Sequence, residues 1–453
     1  MRGKDMAMIF QEPMSALNPL MTVGAQVTEV MEAHRAFTPD ARKQRALDLF
    51  NFVGLPDPKV LYDTHPFRLS GGQRQRVMIA MALALEPPLL IADEPTTALD
   101  VTTQAQILAL IAKIQKEKGM GVMFVTHDFG VVAEIAHRVA VMEKGILVEQ
   151  GSVDQVLNNP RHPYTQRLIA AVPHLRKIER VVAKEGEVVL EVANLQKTYV
   201  TGRTLFTKPR IIKAVDNVSF TVRRGETLGI VGESGSGKST IGKCLLKLIK
   251  IDGGEIRFQG TDIAGYSEAQ LRPLRRHVQM IFQDPFASLN PRHTVGRSIC
   301  DGPIANGDSP RDAEHRTREL LELVGLDVSA FDRYPNQFSG GQRQRIGIAR
   351  ALALNPSLIV ADESVSALDV SVQAQVLELL QSLQKRLQIG IIFITHDLRV
   401  ASQICHSIAV MHQGKIVEFG KPTDIFNNPQ SDYTKRLVDA IPGKQWEPQE
   451  SVV

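Results

Sequence analysis

Eight consecutive residues, Gly232-Glu233-Ser234-Gly235-Ser236-Gly237-Lys238-Ser239, have the spacing of a loop that grips phosphate. The glycines let successive backbone N–H groups turn toward an anion, Lys238 can reach the β- and γ-phosphates, and Ser239 can ligate Mg²⁺. The apolar run 227–231 ahead of the loop predicts a strand, and Thr240 opens a helix whose N-terminus adds positive potential. A flexible Gly/Ser-rich turn is the competing reading, and the order strand, loop, helix weighs against it. A second chemical feature occurs twice. Four apolar residues run into Asp362-Glu363, and residues 89–92 run into Asp93-Glu94. Of such a pair, the first carboxylate suits a Mg²⁺ shell and the second suits an attacking water. For either pair alone, an exposed strand end is the alternative.

The elements that must hold these groups are repeated. Met8-Ile9-Phe10-Gln11-Glu12-Pro13 returns as Met280-Ile281-Phe282-Gln283-Asp284-Pro285, and Ser70-Gly71-Gly72-Gln73-Arg74-Gln75-Arg76 returns as Ser339-Gly340-Gly341-Gln342-Arg343-Gln344-Arg345. Ser70 to Asp93 and Ser339 to Asp362 both span 23 residues, and Asp93 to His127 and Asp362 to His396 both span 34. Such spacing predicts two copies of one fold: a first domain over 1–175, a charged linker over 176–188 and a second domain over 189–453. Short apolar runs at 89–92, 121–125, 357–361 and 390–394 read as buried strands, and 73–85 and 373–387 read as helices. Alternating helices and strands predict an α/β fold with a mostly parallel sheet in each copy.

Composition narrows the function classes. A hydrophobic share of 43% and a charged share of 23% are those of ordinary globular proteins. The formal charge of +4 is small for 453 residues and evenly spread, which argues against a nucleic-acid partner. Cys244, Cys300 and Cys405 stand far apart with no C-x-x-C pair, which disfavours a disulfide framework, a zinc site or an iron–sulfur cluster and fits a reducing compartment. The N-terminal residues do not read as a signal peptide, and no apolar stretch reaches the ~20 residues that span a bilayer. Any membrane contact is therefore expected to run through a partner.

The sequences Leu69-Ser70-Gly71-Gly72-Gln73 and Ser339-Gly340-Gly341-Gln342 resemble the signature motif of ABC-transporter ATPases, and the resemblance covers nearly the whole chain. It implies two tandem P-loop nucleotide-binding domains, each with a helical subdomain, that bind ATP and Mg²⁺ and hydrolyse ATP. It further implies that Gln11 and Gln283 are Q-loop residues, that Asp100 and Asp369 close D-loops, that His127 and His396 are switch histidines, and that Tyr199 stacks on adenine. In such families each site pairs the phosphate loop of one half with the signature of the other. The site implied here takes Tyr199, residues 232–240, Gln283, Asp362, Glu363 and His396 from the second half, and Ser70, Gly71, Gly72, Gln73 and Asp100 from the first. Glu363, His396 and Gln283 carry the chemistry, and Ser239, Gln283 and Asp362 are the implied metal ligands.

Residues 11–19 and 283–292 resemble the Q-loop region of peptide-importer ATPases, and Asn159-Pro160-Arg161-His162-Pro163-Tyr164-Thr165 and Asn428-Pro429-Gln430-Ser431-Asp432-Tyr433-Thr434 resemble the C-terminal motif of oligopeptide, dipeptide and nickel importers. A generic turn before a helix is the alternative for that motif, and its second copy departs from the first at Ser431-Asp432. No cysteine follows Cys405, which favours the fused two-domain type. Residues 2–13 and 361–369 are most similar to the fused ATPases of glutathione importers. The implied partners are two integral-membrane permease subunits and, indirectly, a periplasmic or extracellular binding protein. The implied location is the cytoplasmic face of the membrane. Lys238 precedes Gln283 by 45 residues, whereas only 10 precede Gln11, so a first-half phosphate loop is not expected in this sequence. Truncation of that domain is the favoured expectation, with exposed strand edges as its consequence. A half-active or inactive remnant and a soluble non-transport ABC ATPase are the alternatives.

Overall fold

Apolar runs that alternate with capped helices make a parallel sheet when both faces of each strand are covered, and this dictates the second half of the chain. The computed structural model describes residues 1–97, 99–173, 186–201, 210–366 and 368–446. Most of the linker expected over 176–188 lies outside them, as do Ala98 and Ala367 of the two D-loops. Two units are formed, one from residues 1–170 with 440–453 and one from 171–439.

In the first unit, β1 (Met6–Ile9), β2 (Leu89–Asp93) and β3 (Gly121–Val125) form a parallel sheet in the order β1-β2-β3. Helix α1 (Gly71–Ala82) precedes β2, α2 (Val101–Lys118) links β2 to β3, and α3 (Phe129–Ile135) follows. The strands β4 (Arg138–Glu143) and β5 (Ile146–Ser152) make a separate antiparallel hairpin, and α4 (Pro163–Ala170) carries the first C-terminal motif. The core joins Ile9, Leu90 and Ala92 of the sheet to Val77 and Ile79 of α1 and Ile107 and Ile111 of α2. Helices Val23–Ala33 and Pro39–Phe52 bring Val27, Met31 and Phe50 to the same core, each fully buried, at about 1.5–3 kcal/mol per side chain of this size. Residues 440–446 join this unit: Gly443 N donates to Glu134 Oε2 at 3.3 Å and Trp446 Nε1 to Asn158 Oδ1 at 3.0 Å.

The second unit opens with a four-stranded antiparallel sheet. It contains β6 (Val188–Thr201), β7 (Arg210–Arg223), β9 (Gly253–Phe258) and β10 (Thr261–Asp262), in the order β10-β9-β6-β7. The main sheet runs β11-β12-β13-β8-β14-β15. Its members are β8 (Thr227–Val231), β11 (Val278–Ile281), β12 (Leu358–Asp362), β13 (Gly390–Thr395), β14 (Ser407–His412) and β15 (Lys415–Gly420). All neighbours pair in parallel except β14 with β15. Helix α5 (Lys238–Leu245) follows β8, α6 (Gly340–Leu352) leads into β12, α7 (Val370–Leu387) leads into β13, α8 (Leu398–Ile404) leads into β14, and α9 (Asp432–Asp439) carries the second C-terminal motif. Helices Val295–Ala305 and Pro310–Leu323 pack with α6 as the helical layer.

The α/β class and the mostly parallel main sheet are therefore as expected. One expected strand differs in its environment. Every residue of β13 is buried, but its repeat partner β3 alternates between exposed and half-buried, with Met123 56% and Val125 39% exposed. The reason is topological: β8 pairs along the second edge of β13, whereas β3 pairs only with β2 among the described residues. No helix among the described residues is long and apolar enough to cross a membrane.

Candidate functional site

The phosphate loop sits where β8 meets α5. Gly237, with φ of +109°, could not be another residue, because a Cβ there would lie 2.0 Å from the Ala214 carbonyl oxygen. The Lys238 side chain is 4% exposed and folds over the loop, its Nζ donating to Gly232 O at 2.8 Å and Glu233 O at 2.9 Å. Ser239 Oγ donates to Asp362 Oδ1 at 3.1 Å, so the first helical turn is joined to the end of β12. Thr240 follows on the same turn. Tyr199 lies on β6, 38% exposed, with Lys197 Nζ 5.6 Å from its ring centre.

The two acids at the end of β12 have different environments. Burial pushes the Asp362 carboxyl up; the Ser239 hydrogen bond opposes this and the Glu363 charge adds to it. Glu363 adopts the left-handed conformation, φ +45°, with its N–H donating to Ile394 O of β13 at 2.8 Å. A non-glycine residue in that region is uncommon, and such a conformation persists where its surroundings enforce it. Here the turn aims the carboxylate at two partners. Gln283 Nε2 donates to Glu363 Oε2 at 2.6 Å, and His396 Nδ1 lies 3.5 Å from Glu363 Oε1. Burial works to raise Glu363, but the hydrogen bond and charge of His396, with Lys238 and Gln283, hold it below the usual carboxylate range. Burial works to lower His396, and Glu363 outweighs it, with Asp397 adding to the rise.

The first unit repeats this cluster. Glu94 is again left-handed, φ +43°, and its N–H donates to Val125 O at 2.9 Å. Gln11 Nε2 donates to Glu94 Oε2 at 2.6 Å, and His127 Nδ1 lies 2.9 Å from Glu94 Oε1. The His127 hydrogen bond holds the Glu94 carboxyl below its ordinary value against the effect of burial.

Both signature sequences begin helices. Ser70 caps α1 by accepting the Gln73 N–H while the Gln73 side chain accepts the Ser70 N–H, and Ser339 and Gln342 do the same for α6. The second glycine is forced by close helix packing: a Cβ at Gly72 would lie 2.6 Å from Thr103 Cγ2, and one at Gly341 would lie 2.2 Å from Val372 Cγ1. Those contacts lie on the helices that the D-loop residues start, since Asp100 Oδ1 accepts Thr103 N–H at 2.9 Å and Asp369 Oδ1 accepts Val372 N–H at 3.0 Å.

The second unit thus gathers residues 232–240, Gln283, Asp362, Glu363 and His396 around one loop, and the first unit presents Ser70, Gly71, Gly72 and Gln73 at a capped helix N-terminus with Asp100 at the start of α2. Sequence reasoning missed two contributors. Thr97 Oγ1 donates to Glu94 Oε2 at 2.9 Å, and its position three residues after the acid was the available signal. Arg350, half-buried on α6, donates through Nη1 to Ser288 O and pins the segment after Gln283. Nothing local distinguishes it from the other arginines of that helix.

The ABC transporter family model matches residues 1–97 and 215–366. A second model, the C-terminal region of oligopeptide/dipeptide transporters, matches 148–200 and 417–450. The chain is 50% identical over 467 aligned positions to the glutathione import ATP-binding proteins GsiA of Salmonella paratyphi A (strain ATCC 9150 / SARB42) and of Escherichia coli (strain K12), an overlap of 97% of this chain and 75% of each of those proteins. Among solved structures, a dimeric post-hydrolysis state of the ATP-binding cassette MJ0796 bound to ADP and Pi is 30% identical, covering 51% of this chain and 98% of that one with a TM-score of 0.47.

Proposed function

The chain belongs to the ABC transporter ATP-binding family, in its oligopeptide/dipeptide branch, and from that premise we propose that it energises the uptake of glutathione or a similar short peptide. The observation that carries the reading is the Glu363 carboxylate, half-buried beside the phosphate loop and shared by Gln283 and His396. ATP is held by the backbone N–H groups of 232–240 and by Lys238, with adenine against Tyr199. Ser239, Asp362 and the Gln283 side-chain oxygen suit Mg²⁺, a hard cation bound in nucleotide sites by few protein oxygens, and the hydroxyl and buried carboxylate already converge at 3.1 Å. When bound, the ion neutralises charge that develops on the phosphates.

Glu363 accepts a hydrogen bond from the attacking water and orients it toward the γ-phosphorus, a task suited to a carboxylate kept ionised near neutral pH. Gln283 and His396 fix the direction of that carboxylate, and His396 in its protonated form supplies positive charge beside the γ-phosphate. Ser70, Gly71, Gly72, Gln73 and Asp100 complete the site from the first half, with the α1 N-terminus offered to the γ-phosphate. Domains over 1–175 and 189–453 then close around nucleotide and move two permease subunits at the cytoplasmic face of the membrane, which receive substrate from an external binding protein. Stimulation of ATP hydrolysis in vesicles holding the chain, its permease subunits and the binding protein tests this. Glutathione should stimulate turnover more than longer peptides, and a preference for longer peptides would overturn the substrate assignment.

A further inference from the structure

The importer-like motif at the end of the second half contains a tyrosine that the hydrolysis site does not use. Tyr433, 7% exposed at the start of α9, accepts a hydrogen bond through its Oη from the backbone N–H of Glu233 at 3.1 Å. Glu233 is the second residue of the phosphate loop. Glu233 is half-buried, its N–H takes the Tyr433 hydroxyl as acceptor, and the loop conformation that satisfies this donor is the conformation in which Tyr433 meets it.

The tyrosine is itself fixed from three sides. Its ring stacks on His412 at the end of β14, with centroids 4.0 Å apart and planes at 23°. Its backbone N–H donates to Ser431 Oγ at 3.3 Å. The preceding turn is tied to β15, since the Glu418 carboxylate accepts the N–H groups of Gln430 at 2.8 Å and Ser431 at 3.0 Å. The turn between β14 and β15 also touches the loop, Gly414 N donating to Ser236 O at 2.9 Å. One hairpin therefore positions both the phosphate loop and the residue that braces it.

The first repeat is an internal comparison. Glu149 there accepts the N–H groups of Arg161 at 2.8 Å and His162 at 3.1 Å, and Tyr164 N donates to His162 Nδ1 at 3.2 Å, so His162 does the work of Ser431. The turn is the same although the residues differ. Tyr164, however, is only half-buried and carries the Arg167 guanidinium 5.8 Å from its ring centre.

We propose that Tyr433 is a positioning residue for nucleotide binding, its hydroxyl holding the Glu233 amide so that the remaining loop amides are set to receive phosphate. This rests on the assignment of 232–240 as the ATP loop. The test is Tyr433→Phe in the full chain, which keeps the stacked ring and removes the acceptor, measured as Kd for ATP, KM and kcat. Loss of one neutral hydrogen bond predicts a rise of about fivefold in Kd and KM, with kcat within about twofold of wild type. Tyr164→Phe should leave all three unchanged. A Tyr433→Phe Kd equal to wild type, a loss confined to kcat, or an equal rise in Tyr164→Phe overturns the proposal. A fall in the thermal midpoint of the nucleotide-free Tyr433→Phe protein large enough to explain the weaker binding also overturns it. Lys238→Ala separates the two levels: if it binds ATP as wild type does, the loop assignment fails, and if it loses binding while Tyr433→Phe is normal, only the role of Tyr433 fails.

Discussion

Replacing Glu363 by glutamine keeps the shape of the side chain and removes its charge, and the surrounding contacts set what this should cost. In the wild type the carboxylate accepts from Gln283 at 2.6 Å and faces His396 at 3.5 Å. With the charge gone, the Asp397 charge alone is left to oppose burial, the largest influence on His396, so the imidazole becomes neutral near pH 7 and no unpaired charge is left in the site. The structural loss is then limited to one hydrogen bond, about 1 kcal/mol, partly offset by relief of repulsion from Asp362. The rate loss is larger. A positioned base contributes roughly 10²–10⁴-fold, or about 2.7–5.5 kcal/mol of barrier at about 1.36 kcal/mol per tenfold. Phosphate release at saturating ATP should therefore fall at least about a hundredfold, while ATP affinity stays within about threefold and the urea unfolding free energy moves by about 1 kcal/mol. Turnover within about threefold of wild type would refute the role given to Glu363.

Two further outcomes follow from the same contacts. Ser70→Ala removes the cap of α1 and should cost about 1 kcal/mol of first-unit stability by urea titration, and a composite site also requires it to lower ATP turnover; full turnover would separate the signature from the chemistry. His396 should titrate above its unfolded value of about 6.5 in the wild type and below it in Glu363→Gln, read by histidine NMR; its raised value means that the stabilisation it gives is full below about pH 6.5 and is lost as pH rises through the folded pKa, and equal values in the two proteins would contradict the pairing.

Much of the site was legible because its chemistry is local. The loop 232–239 needs glycines at fixed offsets, the signature helices need Ser70 and Ser339 as caps with Gln73 and Gln342 three residues on, and the acids follow apolar runs that can only be strands. What escaped depends on pairing between distant segments. The insertion of β8 between β13 and β14 buries Phe393 and leaves its counterpart Phe124 on β3 half-buried, although both runs are equally apolar. The antiparallel pairing of β6 with β7 and β9 could not be read from the apolar run at the start of the second half alone. The left-handed turns at Glu94 and Glu363 carry no sequence mark, since neither residue is a glycine or asparagine. The contact of Tyr433 with Glu233 joins segments 200 residues apart.

The central claim is that residues 232–240 of this chain hold the ATP whose hydrolysis drives import. ATP binding and phosphate release by the full chain, assembled with its permease subunits, test it when wild type is set against Lys238→Ala. Saturable binding and turnover in the wild type, both reduced by at least about a hundredfold in the variant, are the predicted result. Undiminished binding and turnover in Lys238→Ala would contradict it.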